Sequence, residues 1–332
     1  MKPLYPVQIS GVGSFLPEKR LTNHDLEKTL DTSDKWILQR TGISERRVLE
    51  SGKATSDMAV EAVRSLCNST SIDPRDIDLL IIASVTPDMF FPSTACLVQN
   101  KLGIPSTWGF DLSAACCGFV YALSTGVAFI ASGMRRKVVV VGADTMSRII
   151  DPEDRNTCVL FGDGAGAVLL EPAVEPENCF LDAFHEVDGS GGDCLCMPAG
   201  GSLLPANADT VTDRLHFVKQ EGSTVFKFAT RKMEEASRKI LERNHVSPSK
   251  LQLMIPHQAN SRIIQGTAER LNLRDDQVVL NLSKYGNTTA ATIPLAMQDA
   301  LLDGRIRKGD IILLASVGAG FTVGTTLLRW AY

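Results

Sequence analysis

Short apolar runs bounded by turn residues recur along the chain. Such runs occupy residues 79–85 and 138–141, and again residues 251–255 and 311–315. Each run is too short for an ordinary helix and is typical of a buried strand. The second pair follows the first by 172 and 173 positions, and this near-constant offset indicates an internal duplication.

Each half also contains a helix-like stretch of small residues, at 122–132 and at 288–302. Strands that alternate with helices favour parallel pairing, so two such units packed together predict a layered α/β fold with mostly parallel, mixed sheets. The segment EPAVEP at 171–176 is the expected junction. We therefore predict an N-terminal half over residues 1–174 and a C-terminal half over residues 175–332.

The composition is that of an ordinary globular protein, with 44% hydrophobic and 22% charged residues among 332. A net charge of −4 argues against nucleic acid as a partner. Without a signal-peptide run or an apolar run of about 18 residues, we expect a cytoplasmic protein that does not enter the membrane. The eight cysteines are too unevenly spread for a disulfide framework, and Cys194 and Cys196 lack the paired spacing of a zinc site.

The candidate nucleophile is Cys116, in the segment DLSAACCGF at residues 111–119. Here a strand-like run turns into a helix of small residues, and the free backbone N–H groups of a helix N-terminus favour a thiolate. Such a position lowers the pKa of a cysteine. The structural alternative is a buried core thiol, because cysteine is among the most buried residue types.

Two further polar residues occupy equivalent positions in the duplicated halves. Asn287 follows Cys116 by 171 positions and precedes the matching helix. His257 follows the first strand of the second half, at the strand end where ligands bind in open α/β sheets. Taken singly, the histidine is typical of a core or surface residue and the asparagine of a turn or cap. Their equivalent positions predict one shared site.

Four motifs in this order resemble the β-ketoacyl-acyl carrier protein synthase III family of the thiolase superfamily. They are DLSAACCGF with Cys116, IPHQAN with His257, YGNTTAA with Asn287, and VGAGFTVG at residues 317–324. The resemblance covers nearly the whole chain. It implies a thiolase-like αβαβα fold built from two duplicated halves, and a Cys-His-Asn catalytic triad.

The activity implied by this resemblance is a decarboxylating condensation that begins fatty-acid synthesis. Cys116 takes an acyl group from an acyl-coenzyme A primer, and malonyl-acyl carrier protein then loses carbon dioxide and attacks the new thioester. His257 and Asn287 donate to the thioester oxygen, while the backbone of Cys116, Gly318, Ala319 and Gly320 supplies the oxyanion hole. The enzyme is expected to be a homodimer, with coenzyme A as a substrate and with no metal or redox cofactor.

The family's binding residues transfer to this sequence position by position. Taken alone, Trp36 is equally typical of the buried face of an amphipathic helix, and Lys227 and Arg231 of a solvated helix face. The resemblance implies coenzyme A binding by Thr32, Trp36, Arg40, Arg155, Gly222 and Ala259, an acyl pocket formed by Phe91, Met146, Phe161 and Val317, with Phe91 from a partner subunit, and carrier-protein docking by Lys227, Arg231 and Arg262.

Three positions depart from the commonest family pattern. Cys117 replaces an alanine, Val317 stands where phenylalanine is frequent, and Val323 stands where tryptophan is frequent. A smaller residue at 317 leaves room for a longer or branched acyl group, so a role in quinolone or polyketide priming, as a condensing enzyme or an acyltransferase, is the alternative. A cysteine hydrolase or thioesterase that uses Cys116 and His257 is a third interpretation, and a noncatalytic binding protein is a fourth.

Overall fold

The computed structural model describes residues 5–332. In this part of the chain, two mixed sheets are stacked with helices between them and on both outer faces. The strands are β1 Val7–Phe15, β2 Arg20–Thr22, β3 Glu45–Arg47, β4 Leu79–Ala83, β5 Trp108–Leu112, β6 Val138–Thr145, β7 Asp163–Pro172, β8 Phe180–Val187, β9 Leu195–Cys196, β10 Lys219–Gln220, β11 Leu253–Pro256, β12 Ile311–Gly318 and β13 Thr322–Arg329.

The helices form three layers. Helices α5 and α10 lie between the two sheets, α3 and α4 cover the outer face of the first sheet, and α7 covers the outer face of the second. The bounds are α1 Asn23–Leu26, α2 Asp34–Thr41, α3 Thr55–Thr70, α4 Thr94–Leu102, α5 Gly118–Ala131, α6 Ala208–Thr212, α7 Gly222–Arg243, α8 Ser261–Arg270, α9 Leu282–Tyr285 and α10 Thr292–Leu302. The predicted αβαβα layering is confirmed.

The apolar runs of the sequence form the inner strands because both faces of each sheet are covered. In β6, Val138 and Val140 pack toward the central helices, whereas Val139 and Val141 pack toward the outer helices. All four side chains are fully buried. A strand buried on both sides reads as a continuous apolar run, and this is the pattern that located it in the sequence.

The order of strands is β1-β7-β6-β4-β5 in the first sheet and β11-β12-β13-β8 in the second. Parallel pairing joins β4 to β5 and to β6, and β11 to β12. Antiparallel pairing joins β1 to β7, β6 to β7, β12 to β13 and β13 to β8. The sheets are mixed as predicted, but parallel pairs do not predominate, because β7 and β13 each run back beside the preceding strand.

The central helices are rich in small residues because they are enclosed by sheets on both sides. A Cβ placed on Gly126 of α5 would lie 2.7 Å from Leu170 Cδ1 of β7, so the helix approaches the sheet more closely than a larger residue allows. The chain passes from the first sheet to the second between Pro172 and Phe180, and the predicted boundary at 174/175 lies in this connection. The turns that directly precede α5 and α10 lie in contact in the central layer.

Candidate active site

Cys116 lies in a 3₁₀ turn, Ala115–Cys117, between β5 and the start of α5. Ala115 has a φ of 47°, an uncommon left-handed conformation for a residue with a side chain. The Ser316 hydroxyl of β12 donates to the Cys116 carbonyl oxygen at 2.8 Å. A residue from the second half of the chain therefore holds the turn that carries the cysteine of the first half.

Burial raises the pKa of the Cys116 thiol well above its ordinary value, and the nearby Cys117 and Asp144 act in the same direction. The backbone N–H of Cys116 itself hydrogen-bonds toward the sulfur and lowers the pKa. Burial outweighs that contact. The cysteine does precede a helix, but the direction expected from the helix N-terminus alone is reversed, so the thiol is protonated at neutral pH.

His257 follows β11, and its backbone N–H donates to the Ala315 carbonyl at 2.8 Å, which extends the parallel pairing with β12. Its ring Nδ1 lies 2.7 Å from the Thr292 hydroxyl at the start of α10. The side chain is almost completely buried, and this burial lowers the pKa of the imidazole to about 3. At neutral pH the ring is therefore uncharged.

Asn287 is held by backbone and side-chain contacts together. Its N–H donates to the Leu160 carbonyl at 2.8 Å, and its carbonyl accepts from Gly162 N–H at 3.0 Å. Its side-chain Oδ1 accepts from the backbone N–H of Thr289 at 2.9 Å. Because the amide oxygen is engaged in this way, the amide nitrogen is the group that remains to donate a hydrogen bond.

Cys116, His257 and Asn287 line one cavity of about 710 Å³. Residues far apart in the sequence thus meet at a single site, at the strand ends and helix starts where the duplication places them. Nucleophile, uncharged imidazole and amide donor in one enclosed space are the groups needed for acyl transfer through a thioester.

The end of β12 and the segment that follows it lie against Cys116. Gly318 lines the same cavity, and a Cβ placed on it would be 2.9 Å from the backbone nitrogen of Cys116. Ala319 lines a smaller neighbouring cavity, and Gly320 has a φ of 136°, a conformation that side chains rarely adopt. Glycine at 318 therefore permits two backbone segments to approach each other beside the sulfur.

Trp36 and Arg40 line the large cavity, and two arginine side chains lie over the Trp36 ring. The guanidinium carbon of Arg155 lies 4.8 Å from the centre of the Trp36 ring, and that of Arg40 lies 5.7 Å from it. Arg155 also donates to the Asp31 carbonyl at 2.6 Å. Thr32 lies in the turn before α2, so the N-terminal residues predicted to bind coenzyme A are gathered around this helix.

The remaining predicted contacts are distributed along the cavity wall and rim. Gly222, Ala259, Lys227 and Arg262 line the cavity. The Arg262 guanidinium also lies 5.5 Å from the Phe226 ring centre. Arg231 lies one turn beyond Lys227 on α7, 3.9 Å from Glu235.

A second cavity of about 150 Å³ adjoins the first at Cys116. Met146 and Phe161, two of the four residues predicted to form the acyl pocket, line it, whereas Val317 lines the larger cavity. Phe91 is 85% exposed and lies in neither cavity of its own chain. Further apolar side chains that the sequence did not single out complete the wall: Val85, Ile149, Leu195, Met197 and Val218.

Sequence reasoning missed the polar residues that support the site. Thr292 contacts His257, Ser316 contacts Cys116, and the fully buried Asp144 accepts a hydrogen bond from Ala290. Two of these residues, Asp144 and Ser316, could have been found in the sequence, because each is a polar residue near the end of an apolar strand. These two positions are separated by 172, the same offset as the strands.

No helix within residues 5–332 combines the length and apolarity needed to span a bilayer. Within the same residues, no group of three histidine, cysteine or acidic side chains is placed to bind a metal ion.

The sequence matches the family 3-oxoacyl-[acyl-carrier-protein (ACP)] synthase III over residues 110–189 and its C-terminal part over residues 241–330. The β-ketoacyl-[acyl-carrier-protein] synthase III of Solibacter usitatus is 55% identical over 327 residues, which cover 98% of this chain and 99% of the relative.

Solved structures agree with this assignment. The 3-oxoacyl-[acyl-carrier-protein] synthase III of Aquifex aeolicus VF5 matches with a TM-score of 0.90 and 43% identity, covering 98% of this chain and 100% of that one. The priming β-ketosynthase of the R1128 polyketide pathway matches with a TM-score of 0.91 and 31% identity, covering 99% and 98%. The chain therefore belongs to the β-ketoacyl-acyl carrier protein synthase III family of thiolase-fold condensing enzymes.

Proposed function

We propose that this protein condenses an acyl-coenzyme A primer with malonyl-acyl carrier protein, with loss of carbon dioxide, to begin fatty-acid synthesis. The observation that carries the proposal is the meeting of Cys116, His257 and Asn287 around one cavity in a member of this family. The reaction needs no metal or redox cofactor, because the departing carbon dioxide leaves the carbanion behind. Coenzyme A enters as part of the first substrate.

In the first half-reaction, the sulfur of Cys116 attacks the acyl thioester and coenzyme A leaves as a thiolate. Since burial keeps the thiol protonated, the proton needs an acceptor. We assign this role to the departing coenzyme A thiolate, which takes the proton and becomes the free thiol. The close packing of Gly318 on the Cys116 backbone nitrogen supports an oxyanion hole at this point.

In the second half-reaction, decarboxylation turns the malonyl thioester carbonyl into an enolate. The Asn287 amide nitrogen is free to donate to the enolate oxygen. The His257 ring, whose Nδ1 faces Thr292, is the second candidate donor when its Nε2 carries a proton. A preorganised donor that meets developing charge contributes about 3 to 4 kcal/mol, or roughly 100- to 1000-fold in rate. The carbanion then attacks the acyl group on Cys116, and the cysteine leaves as a thiolate that is reprotonated.

Coenzyme A binding at the cavity mouth is the second part of the proposal. The adenine is expected to enter between Trp36 and Arg155, with Arg40 placed for the phosphates, because guanidinium groups pair with phosphate and stack on planar rings. Arg155 now lies over the ring face that the base would use. Binding therefore requires Arg155 to move away from Trp36 and to close over the base instead.

The carrier protein and a second subunit complete the proposed assembly. Lys227, Arg231 and Arg262 form a cationic rim that suits an acidic carrier protein, although the net charge is −4. The exposed Phe91 supports a homodimer in which this ring enters the partner's acyl pocket. All eight cysteines are free, which fits a reducing compartment such as the cytoplasm.

A role in secondary metabolism is the second candidate. It is favoured by the likeness to the R1128 priming β-ketosynthase and by the small Val317 in the cavity wall. Both candidates share the acylation of Cys116. They differ in the primer that loads it and in the acceptor that receives the acyl group.

Intact-protein mass spectrometry tests the proposal directly. The protein is exposed to acyl-coenzyme A donors of increasing length and then chased with malonyl-acyl carrier protein. We expect one acyl adduct on Cys116, discharged as a β-ketoacyl carrier protein, and no adduct in Cys116→Ala. Cys117→Ala is the matched control and retains the adduct, because Cys117 lies in the same turn but lines neither cavity.

The alternatives give different products. Discharge as free acid indicates a hydrolase, and transfer to another acceptor without loss of carbon dioxide indicates a plain acyltransferase. Absence of any adduct, or an adduct that survives in Cys116→Ala, refutes the proposed mechanism.

A further inference from the structure

Asp144 is a buried carboxylate with no part in the reaction described so far. It is the penultimate residue of β6, and its side chain has no exposure to solvent. Burial raises its pKa to about 6, and the five hydrogen bonds that its two oxygens accept favour the ionised form. Burying an ionised group costs free energy unless its hydrogen bonds are satisfied. The hydrogen-bond partners of Asp144 therefore indicate its role in the fold.

The two carboxylate oxygens bind different parts of the molecule. Oδ2 accepts from the backbone N–H of Ala290 at 3.0 Å, in the second half of the chain. Oδ1 accepts four hydrogen bonds from the segment that follows β4 in the first half: Val85 N–H at 2.8 Å, Ser84 Oγ and Thr86 Oγ1 at 3.0 Å each, and Thr86 N–H at 3.2 Å.

Ala290 belongs to the 3₁₀ turn Thr289–Ala291, which begins two residues after Asn287. Thr289 has a φ of 52°, a strained conformation for a β-branched residue that surrounding contacts must hold in place. Its backbone N–H orients the Asn287 side chain at 2.9 Å. The Asp144 contact with the next residue therefore fixes the strained turn that aims the amide donor.

The same turn leads to His257. The Thr292 hydroxyl lies 2.9 Å from the Thr289 carbonyl oxygen and 2.7 Å from His257 Nδ1. Hydrogen bonds thus run from Asp144 through this one turn to both groups that we assign to decarboxylation. The Cys116 turn, in contrast, is held by hydroxyl groups of Ser316 and Thr322.

We propose that Asp144 is a positioning residue for the decarboxylation half-reaction, and that it acts by anchoring the turn that aims Asn287 and His257. The inference rests on the proposed function, because it assigns these two residues to the second half-reaction. Cys116 acylation does not depend on this anchor. Replacing the carboxylate also removes one of the charges that raise the pKa of the thiol, after burial and Cys117, so acylation is not slowed on that account.

Asp144→Asn tests the inference. The substitution keeps the shape of the side chain but places an NH₂ group where one carboxylate oxygen stood, so the five donors can no longer all be satisfied. We expect decarboxylation of malonyl-acyl carrier protein to fall by about 10- to 100-fold, as for a catalytic group displaced by a fraction of an ångström to one ångström. The rate of Cys116 acylation, followed by intact mass, is expected to stay at the wild-type value.

Asp163→Asn is the matched control. Asp163 is also fully buried, and its carboxylate accepts hydrogen bonds from Ser147 and Leu49 but from no residue of the 287–292 segment. This variant is expected to alter both half-reactions by the same factor or neither. If Asp144→Asn behaves in that way too, the positioning role is wrong.

Asp144→Ser is the second variant, for the case in which the asparagine protein does not fold. Serine occupies the equivalent position 316 of the other half, so it suits a strand end of this kind, but it is too short to reach both sets of partners. The same separation of the two half-reactions is expected. If the wild-type protein itself fails to decarboxylate the malonyl substrate, the proposed function is wrong, whereas an active wild type with no such separation overturns only the role of Asp144.

Discussion

The contact between Gly318 and the nucleophile turn allows a sharp test of the oxyanion hole. A Cβ at position 318 would lie 2.9 Å from the Cys116 nitrogen and 3.0 Å from the Cys117 nitrogen. Ordinary van der Waals contacts of carbon are about 3.5 Å or longer, so Gly318→Ala requires a displacement of about 0.5 Å. Thr322 Oγ1, at 2.8 Å, is a side-chain atom that can rotate aside, but the two backbone nitrogens cannot.

This displacement moves the Cys116 N–H relative to the sulfur and to the position of the developing oxyanion. Loss of one such donor costs about 100- to 1000-fold in rate, and misplacement by 1 Å costs about 100-fold. We therefore expect the rate of Cys116 acylation in Gly318→Ala to fall by about 100-fold. The extra methyl group also strains the packing, with an expected loss of about 1 to 3 kcal/mol in the free energy of unfolding.

The assay is rapid-quench mass spectrometry of the acyl-enzyme, with urea unfolding measured in parallel. Gly192→Ala is the control, since a Cβ at position 192 meets no atom within 4 Å. If folded Gly318→Ala acylates at the same rate as Gly192→Ala, the backbone of residue 318 does not shape the oxyanion hole.

Two further predictions concern the histidine and the cavity wall. The His257 pKa of about 3 lies below its unfolded value of 6.5, so the folded state binds fewer protons and stability falls as the pH drops from 6.5 toward 3. Between pH 7.5 and 5.5, urea unfolding is expected to show about 1.4 kcal/mol more loss in the wild type than in His257→Gln, and equal losses would contradict the buried, uncharged ring. Val317→Phe is expected to lower kcat/KM for longer or branched acyl donors by about 10-fold or more relative to acetyl, because the ring fills cavity space, and an unchanged ratio would show that residue 317 does not contact the acyl group.

The buried strands and the candidate catalytic positions could be predicted from the sequence because both follow from local patterns. Strands β4, β6, β11 and β12 are continuous apolar runs, a consequence of burial on both faces. The constant offset between the halves then placed Asn287 opposite Cys116. Strands β7 and β13 were not singled out, because their glycines and threonines interrupt the apolar pattern and their antiparallel partners lie elsewhere in the chain.

The supporting contacts could not be predicted, since each depends on residues distant in sequence. The Asp144 carboxylate accepts a hydrogen bond from Ala290, which is 146 positions away in the sequence. No local pattern near either residue predicts this contact. The pKa of Cys116 shows the same limit, because the helix start is visible in the sequence but the degree of burial that outweighs it is not. Stacking of Arg155 on Trp36 likewise required the folded chain.

Each half of the chain holds the candidate catalytic turn of the other half, and this arrangement has an evolutionary consequence. Ser316 of the second half holds the turn of Cys116, and Asp144 of the first half holds the turn of Asn287. An ancestor with only one half would have had to pair with a copy of itself, and its two turns would have been chemically identical. Fusion into one chain freed positions 144 and 316 to diverge into a carboxylate and a hydroxyl. In the proposed mechanism, the different roles of Cys116 and Asn287 follow from this loss of symmetry, and neither half alone contains every group that the reaction uses.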